Sequence, residues 1–268
     1  MDYMNTDNIR KRLEQIQLLV LDMDGTIYLG DKLYTYTRSF LSRVQDSGRD
    51  FCFFTNNSSK NRDSYLKKLK KMQIDIPPEK MLISSDVIIQ WLKKNHFGKS
   101  AFVVGTADLL EDFNQNKIEL DDKNPDYVII GFDTTLTYEK LSKACSFIRN
   151  GTPVYGVNPD LNCPIEGGFI PDCGSIAALV QASTGVSCEF FGKPSRHTLE
   201  YLLSFTGYPA DRVAIIGDRL YTDIATASGS DVTSILVLSG ETNADDLINS
   251  TIQPDLVVEN IGYLIDYL

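Results

Sequence analysis

No C-x-x-C pair occurs among the five cysteines, and their number is odd: Cys52, Cys145, Cys163, Cys173 and Cys188. Zinc-ribbon and disulfide-scaffold readings are therefore set aside. Cys52 and Cys188 stand in apolar, strand-like runs, where a free cysteine acts as a small hydrophobe. Positive charge is also scarce, with 26 Lys and Arg against 36 Asp and Glu for a net charge of −10. A nucleic-acid or anionic-membrane partner would need a basic stripe, so neither is expected. An anionic ligand would have to be met by a local cation or by backbone N–H groups. No apolar run approaches transmembrane length, and the polar residues before Leu18 hold no signal-peptide core, which makes the cytoplasm the expected location. Repeats and low-complexity tracts are absent as well. The two histidines, His96 and His197, fall outside every motif and are expected to be packing or helix-surface residues.

Hydrophobic content of 43% and charged content of 23% are ordinary for a globular chain, and 268 residues suffice for one large domain or two modest ones. Apolar runs alternate with helical patterns. Gln17 to Leu21 reads as a buried strand, Phe40-Leu41-x-x-Val44 as helix, and Phe51 to Phe54 as a second buried strand stopped by Thr55-Asn56-Asn57-Ser58-Ser59. That polar cluster suits a helix start. Later strands are predicted at Glu189-Phe190-Phe191, Val213 to Ile216, Ser234 to Leu238 and Leu256 to Val258. Continuous β-branched runs separated by helices predict a parallel sheet covered on both faces. Between the halves lies a separate βα rhythm, with strands at Phe102 to Gly105, Tyr127 to Gly131 and Val154 to Val157 and helices at Tyr138 to Arg149 and Ser175 to Ala182. The expected organisation is a discontinuous core of residues 1–83 and 188–268, interrupted by an inserted α/β domain at 84–187. About a hundred residues is enough for an independent core.

The chemistry-bearing residues collect just after the strands assigned to the core. Asp22 and Asp24 follow the first, Thr55 and Asn56 the second, Lys193 the third, and Asp218 and Asp223 the fourth. In a parallel sheet all four groups reach the same edge, where α/β proteins bind ligands. Two carboxylates one residue apart repel unless a cation, a shared proton or a task holds them together. Acids at one point suit a hard cation such as Mg²⁺, and hydroxyl, amide, ammonium and helix N-terminal N–H groups suit phosphoryl oxygens. Each residue alone has a plainer reading: turn, helix cap or surface lysine. The repeated placement at strand ends favours the site. An EF-hand counted from Asp22 fails, because Ile27 and Leu33 stand where glycine and glutamate are needed. A phosphoacceptor receiver domain fits less well, since its acceptor sits on a later strand than its acid pair and an insertion is superfluous to it.

These residues resemble the haloacid dehalogenase (HAD) superfamily of phosphotransferases. Asp-Met-Asp-Gly-Thr-Ile-Tyr at 22–28 is similar to its first motif and Thr55-Asn56 to its second. Gly192-Lys193-Pro194-Ser195 is similar to the third, and Gly-Asp-Arg-Leu-Tyr-Thr-Asp at 217–223 to the fourth. The stretch from Asp22 to Thr55 has room for one helix and one strand, so the insertion falls between Thr55 and Lys193. That arrangement resembles the type IIA, NagD-like subfamily, as do Gly131-Phe132-Asp133, Asn158-Pro159-Asp160, Gly174-Ser175 and Leu238-Ser239-Gly240. Asp172 departs from the pattern, which has glycine there.

The resemblance implies a parallel-sheet, Rossmann-like α/β core with an inserted α/β cap, and a Mg²⁺-dependent phosphatase acting through an aspartyl-phosphate. It implies Asp22 as nucleophile and Asp24 as general acid and base. Thr55, Asn56 and Lys193 are then the phosphate-binding groups. The metal set is Asp22, the Asp24 main-chain carbonyl, Asp218 and, through water, Asp223. A phosphotransferase or mutase of the same fold is the alternative, and a non-catalytic binding protein is a weaker one. Asn158 to Ser175 carries Asp160, Glu166 and Asp172 but no Lys or Arg. Such a surface is expected to accept hydrogen bonds from hydroxyls, with Asn158 and Asp160 as substrate contacts. The expected partner is a small phosphorylated metabolite: a sugar, polyol or nucleoside monophosphate. A homo-oligomer is left open.

Overall fold

The computed structural model describes residues 6–165 and 167–268, so Glu166 lies outside the described residues. Its contacts divide into two units. The first comprises residues 1–55, 68–82 and 199–268, and the second comprises 56–67 and 83–198. The expected insertion at 84–187 lies inside the second.

The first unit is organised by a six-stranded sheet in the order Leu256–Val258, Thr233–Val237, Val213–Gly217, Leu18–Leu21, Asp50–Thr55, Met81–Ile83. Leu18–Leu21 runs parallel to both neighbours, with Leu21 level with Ile216 on one side and Phe53 on the other. All four of its residues are buried, as are all five of Val213–Gly217 and of Thr233–Val237. A strand covered on both faces has no use for alternation, which is why these runs are uniformly apolar. Helix Thr6–Gln15 adds Ile9 and Leu13 to the core, one turn apart on a single face. Helix Thr37–Asp46 adds Phe40, Leu41 and Val44 in the same way.

The second unit has its own four-stranded parallel sheet, ordered Glu189–Phe190, Val154–Gly156, Tyr127–Ile130, Ala101–Val104. Phe102, Val104, Val128, Ile130, Cys173 and Val180 belong to its core. Helix Ala107–Gln115 starts at Thr106, whose hydroxyl accepts from Leu109 N–H. Helix Tyr138–Arg149 starts likewise at Thr137, which accepts from Lys140 N–H. Helix Cys173–Thr184 is capped by the Asp172 carboxylate and ends at Gly185, whose φ of 76° closes the last turn. An antiparallel hairpin of Asn162–Ile165 and Gly168–Pro171 stands apart from the main sheet. His96 and His197 both lie against the single tryptophan, Trp91, with ring centroids 5.0 and 6.1 Å away.

Two strand readings are corrected. Glu189-Phe190, expected in the core sheet, is the edge strand of the second sheet, where the Phe190 ring covers Gly156 closely enough to leave no room for a Cβ there. The sixth core strand is Met81–Ile83, three buried residues that the sequence reading left unassigned. The closing element after Val258 is a run of 3-10 turns, Ile261–Tyr267, in place of an α-helix. Among the described residues no helix is long and apolar enough to cross a membrane.

Candidate active site

In the first unit the ladder carries one residue past Leu21: Asp22 N–H donates to the Ile216 carbonyl at 2.9 Å. The chain then folds back on itself. The Met23 carbonyl accepts from Thr26 and Ile27 N–H, and Gly25 N–H donates to the Tyr28 carbonyl. Gly25 has a φ of +84°, which a residue with a side chain adopts only under strain. Asp218 follows the neighbouring strand and comes up beside this turn. A Cβ on Gly25 would lie 2.4 Å from Asp218 Oδ2, and one on Gly240 would lie 2.0 Å from it. Two glycines therefore make the slot in which this carboxylate sits. A single π-helical turn, Leu220–Ile224, brings Asp223 back toward Gly217, where its Oδ2 accepts from Arg219 N–H at 3.2 Å.

The result is a cluster of three acids. Asp22, Asp218 and Asp223 each offer one carboxylate oxygen, and these oxygens lie within 4.8 Å of one another. Asp218 Oδ2 accepts from Glu241 N–H at 2.7 Å, whereas Oδ1 is buried with no hydrogen-bond partner. A buried, partnerless carboxylate oxygen costs free energy unless a cation or proton meets it. Burial, reinforced by Asp223, raises the Asp218 pKa to about 7, against the opposing pull of Arg219 and the Glu241 N–H. An all-oxygen set with one vacant acceptor fits a hard divalent cation.

Burial also raises the pKa of Asp24, while Lys68, the Gly30 N–H and Arg219 hold it partly down. The surrounding charges that act on it are positive. Neither Lys68 nor Arg219 was singled out from sequence. Lys68 lies on a helix outside any motif, its ammonium 3.9 Å from the centre of the Tyr28 ring. Arg219 is paired with Glu241 at 2.8 Å. Thr55 closes strand Asp50–Thr55, two residues past the partner of Leu21, and is buried.

The second unit brings together Asn56, Lys193, Asn158 and Asp160. Lys193 N–H donates to Asn56 Oδ1 at 2.8 Å, and Asn56 Nδ2 donates to the Lys193 carbonyl at 2.9 Å and to Asp160 Oδ2 at 2.7 Å. Asn158 Nδ2 donates to Asp160 Oδ2 and Asp172 Oδ1. All of these side chains are buried, Lys193 with 2% of its surface exposed and Asn158 with none. Asn158 and Asp160, expected to face a substrate, have these hydrogen bonds committed to Asn56 and to each other.

Comparison with known proteins places this architecture. A model of haloacid dehalogenase-like hydrolases matches residues 19–119, and a HAD-hydrolase-like model matches 190–264. An acid sugar phosphatase of Staphylococcus aureus is 32% identical over 243 residues, covering 90% of this chain and 94% of its own. The chain belongs to the haloacid dehalogenase-like hydrolases. Among solved structures of this family, a 4-nitrophenylphosphatase of Thermotoga maritima superposes with a TM-score of 0.92 at 39% identity, over 95% of this chain and 98% of its own. NagD of E. coli K-12 superposes with a TM-score of 0.85 at 26% identity, over 92% and 98%. The haloacid dehalogenase-like assignment thus extends over nearly the whole chain, including the sheet of the second unit.

Proposed function

We propose that this hydrolase is a Mg²⁺-dependent phosphatase of small phosphomonoesters, acting through an aspartyl-phosphate on Asp22. The observation that carries the reading is the cluster of Asp22, Asp218 and Asp223, whose carboxylate oxygens lie within 4.8 Å of one another, together with an Asp218 oxygen that is buried without a hydrogen-bond partner. Support for the substrate class comes from the relatives, which are named for acid sugar and 4-nitrophenyl phosphatase activities. Sugar, polyol or nucleoside monophosphates are the proposed natural substrates, with residues 84–187 as the inserted cap.

In this reading the Asp22 carboxylate attacks phosphorus, and the bond to the ester oxygen breaks as the bond to Asp22 forms. Asp24, whose pKa burial raises, gives its proton to the departing oxygen. The resulting carboxylate then takes a proton from water as that water attacks the aspartyl-phosphate, which releases inorganic phosphate and restores Asp22. Thr55, the Asn56 backbone and Lys193 hold the equatorial oxygens, where charge gathers during transfer. Asp22, the Asp24 main-chain carbonyl, Asp218 and, through water, Asp223 would hold Mg²⁺, which supplies charge neutralisation for two approaching anions.

The test is turnover of 4-nitrophenyl phosphate and a panel of sugar and nucleoside monophosphates with MgCl₂ and with EDTA. Metal-dependent release of inorganic phosphate, abolished in Asp22→Asn, is expected. Stoichiometric transfer to a second alcohol without phosphate release would replace hydrolase by phosphotransferase.

A further inference from the structure

We infer that Asp160 is a positioning residue for Lys193 and acts through the Asn56 amide. The kinetic part of this inference rests on the phosphatase reading above; the geometry does not. Asn56 grips both polar groups of one residue's backbone, its Oδ1 taking the Lys193 N–H and its Nδ2 serving the Lys193 carbonyl. An amide does this in one orientation only. Turned by 180° about its last bond, it would set N–H against N–H and oxygen against oxygen.

Asp160 selects the orientation. Asp160 Oδ2 accepts from Asn56 Nδ2 at 2.7 Å, and an accepting oxygen at that place meets the Nδ2 side of Asn56 and not Oδ1. The same oxygen takes a second bond from Asn158 Nδ2 at 2.9 Å, and Asn158 is itself fixed at both ends. Its Nδ2 also donates to Asp172 Oδ1 at 3.0 Å, and its Oδ1 accepts from Ser58 Oγ at 2.7 Å. Ser58 Oγ in turn accepts from Phe132 N–H at 2.9 Å. The Asn56 backbone is held by Ser84 Oγ, which donates to its carbonyl at 2.8 Å.

Gly192 permits the close approach, since a Cβ there would stand 2.7 Å from Asn56 Oδ1 and 2.9 Å from the Val157 carbonyl. Buried polar networks of this kind rigidify what they hold, and removing one acceptor leaves several donors competing for another. With the Lys193 side chain buried as well, displacement of its backbone is transmitted along the stem to the ammonium. A carboxylate that looks like a ligand contact in the sequence therefore works one residue away from the ligand.

Asp160→Ala tests this in the full-length protein, with Asp160→Asn as the conservative partner because it can keep an oxygen at the same place. For the alanine variant kcat should fall ~10- to 100-fold, the range for removing a group that orients a functional residue. The inhibition constant for inorganic phosphate should rise alongside it. Amide hydrogen exchange at Lys193, resolved by NMR, should accelerate, and Asp160→Asn should recover most of each loss. Asp160→Ser, too short to reach Asn56, replaces the alanine variant should that fail to fold. A folded variant with wild-type exchange at Lys193 and an unchanged phosphate inhibition constant would overturn the proposal. Should the wild-type protein hydrolyse no phosphomonoester, the functional reading fails on its own, and the exchange comparison still decides the positioning role.

Discussion

Asp112 carries a pH dependence that the proposed chemistry does not use. It lies on helix Ala107–Gln115 in the second unit, and its Oδ2 accepts from Ser85 Oγ at 2.9 Å. Burial raises its pKa to about 7, with Asp86 and Asp108 adding to the rise and the Ser85 hydroxyl and Arg62 opposing it. The surrounding charges are otherwise committed: Arg62 pairs with Asp86 at 2.6 Å, and Asp108 accepts from Ser64 Oγ at 2.8 Å. A carboxyl whose folded pKa exceeds its unfolded one stabilises fully below about 4, and that contribution is lost as pH climbs through about 7. Three pKa units at about 1.4 kcal/mol each set a ceiling of roughly 4 kcal/mol, and structural relaxation lowers the expected effect to ~1–3 kcal/mol.

Asp112→Asn removes the titration while keeping an oxygen for Ser85. The variant should gain on wild type steadily as pH rises from 4.5, exceeding it at pH 8 by several degrees in Tm, at ~2–4 °C per kcal/mol. Urea denaturation of both proteins across pH 4.5–8.5 measures the difference. A stability gap that is flat with pH, or one that favours wild type at pH 8, would refute the argument.

Three further outcomes follow, two from the first unit and one from the second. Gly240→Ala drives a Cβ into Asp218, so the Mg²⁺ concentration for half-maximal activity should rise about tenfold or more with the far-UV spectrum unchanged; an unchanged titration would detach Asp218 from metal binding. Asp24→Asn should slow alkyl phosphates far more than 4-nitrophenyl phosphate, whose leaving oxygen needs little protonation, and equal losses on both would remove Asp24 as the general acid. Thr106→Ala deletes a helix cap and should cost ~1 kcal/mol by denaturant titration while leaving kcat intact; a kcat loss would point to a role beyond capping.

The acid cluster was legible because it depends on little besides strand ends. Once Leu18–Leu21 and Val213–Gly217 are parallel neighbours, Asp22 and Asp218 must emerge at the same edge. Glu189-Phe190 was misplaced because a two-residue strand carries no mark of which sheet it joins. That choice was made by packing against Gly156, and Gly156 is remote in sequence. The hairpin of Asn162–Ile165 and Gly168–Pro171 has no mark in the sequence, since Pro164, Gly167, Gly168 and Pro171 all resemble breakers and neither strand alternates. Asp172 stood out as a departure from a family pattern, yet its carboxylate caps a helix and receives Asn158. Asn158 and Asp160 suggested substrate contacts because their partners, Asn56 and Ser58, lie about a hundred residues earlier. Only the folded chain reveals that such polar groups satisfy one another.

The account turns on a covalent bond between phosphorus and Asp22. Rapid quenching during turnover, followed by borohydride reduction and peptide mass spectrometry, reads that bond directly, because an aspartyl-phosphate is reduced to homoserine. Homoserine is expected at position 22, dependent on substrate and absent from Asp22→Asn. Continued turnover with no modification at position 22, or with the label on another side chain, would contradict it.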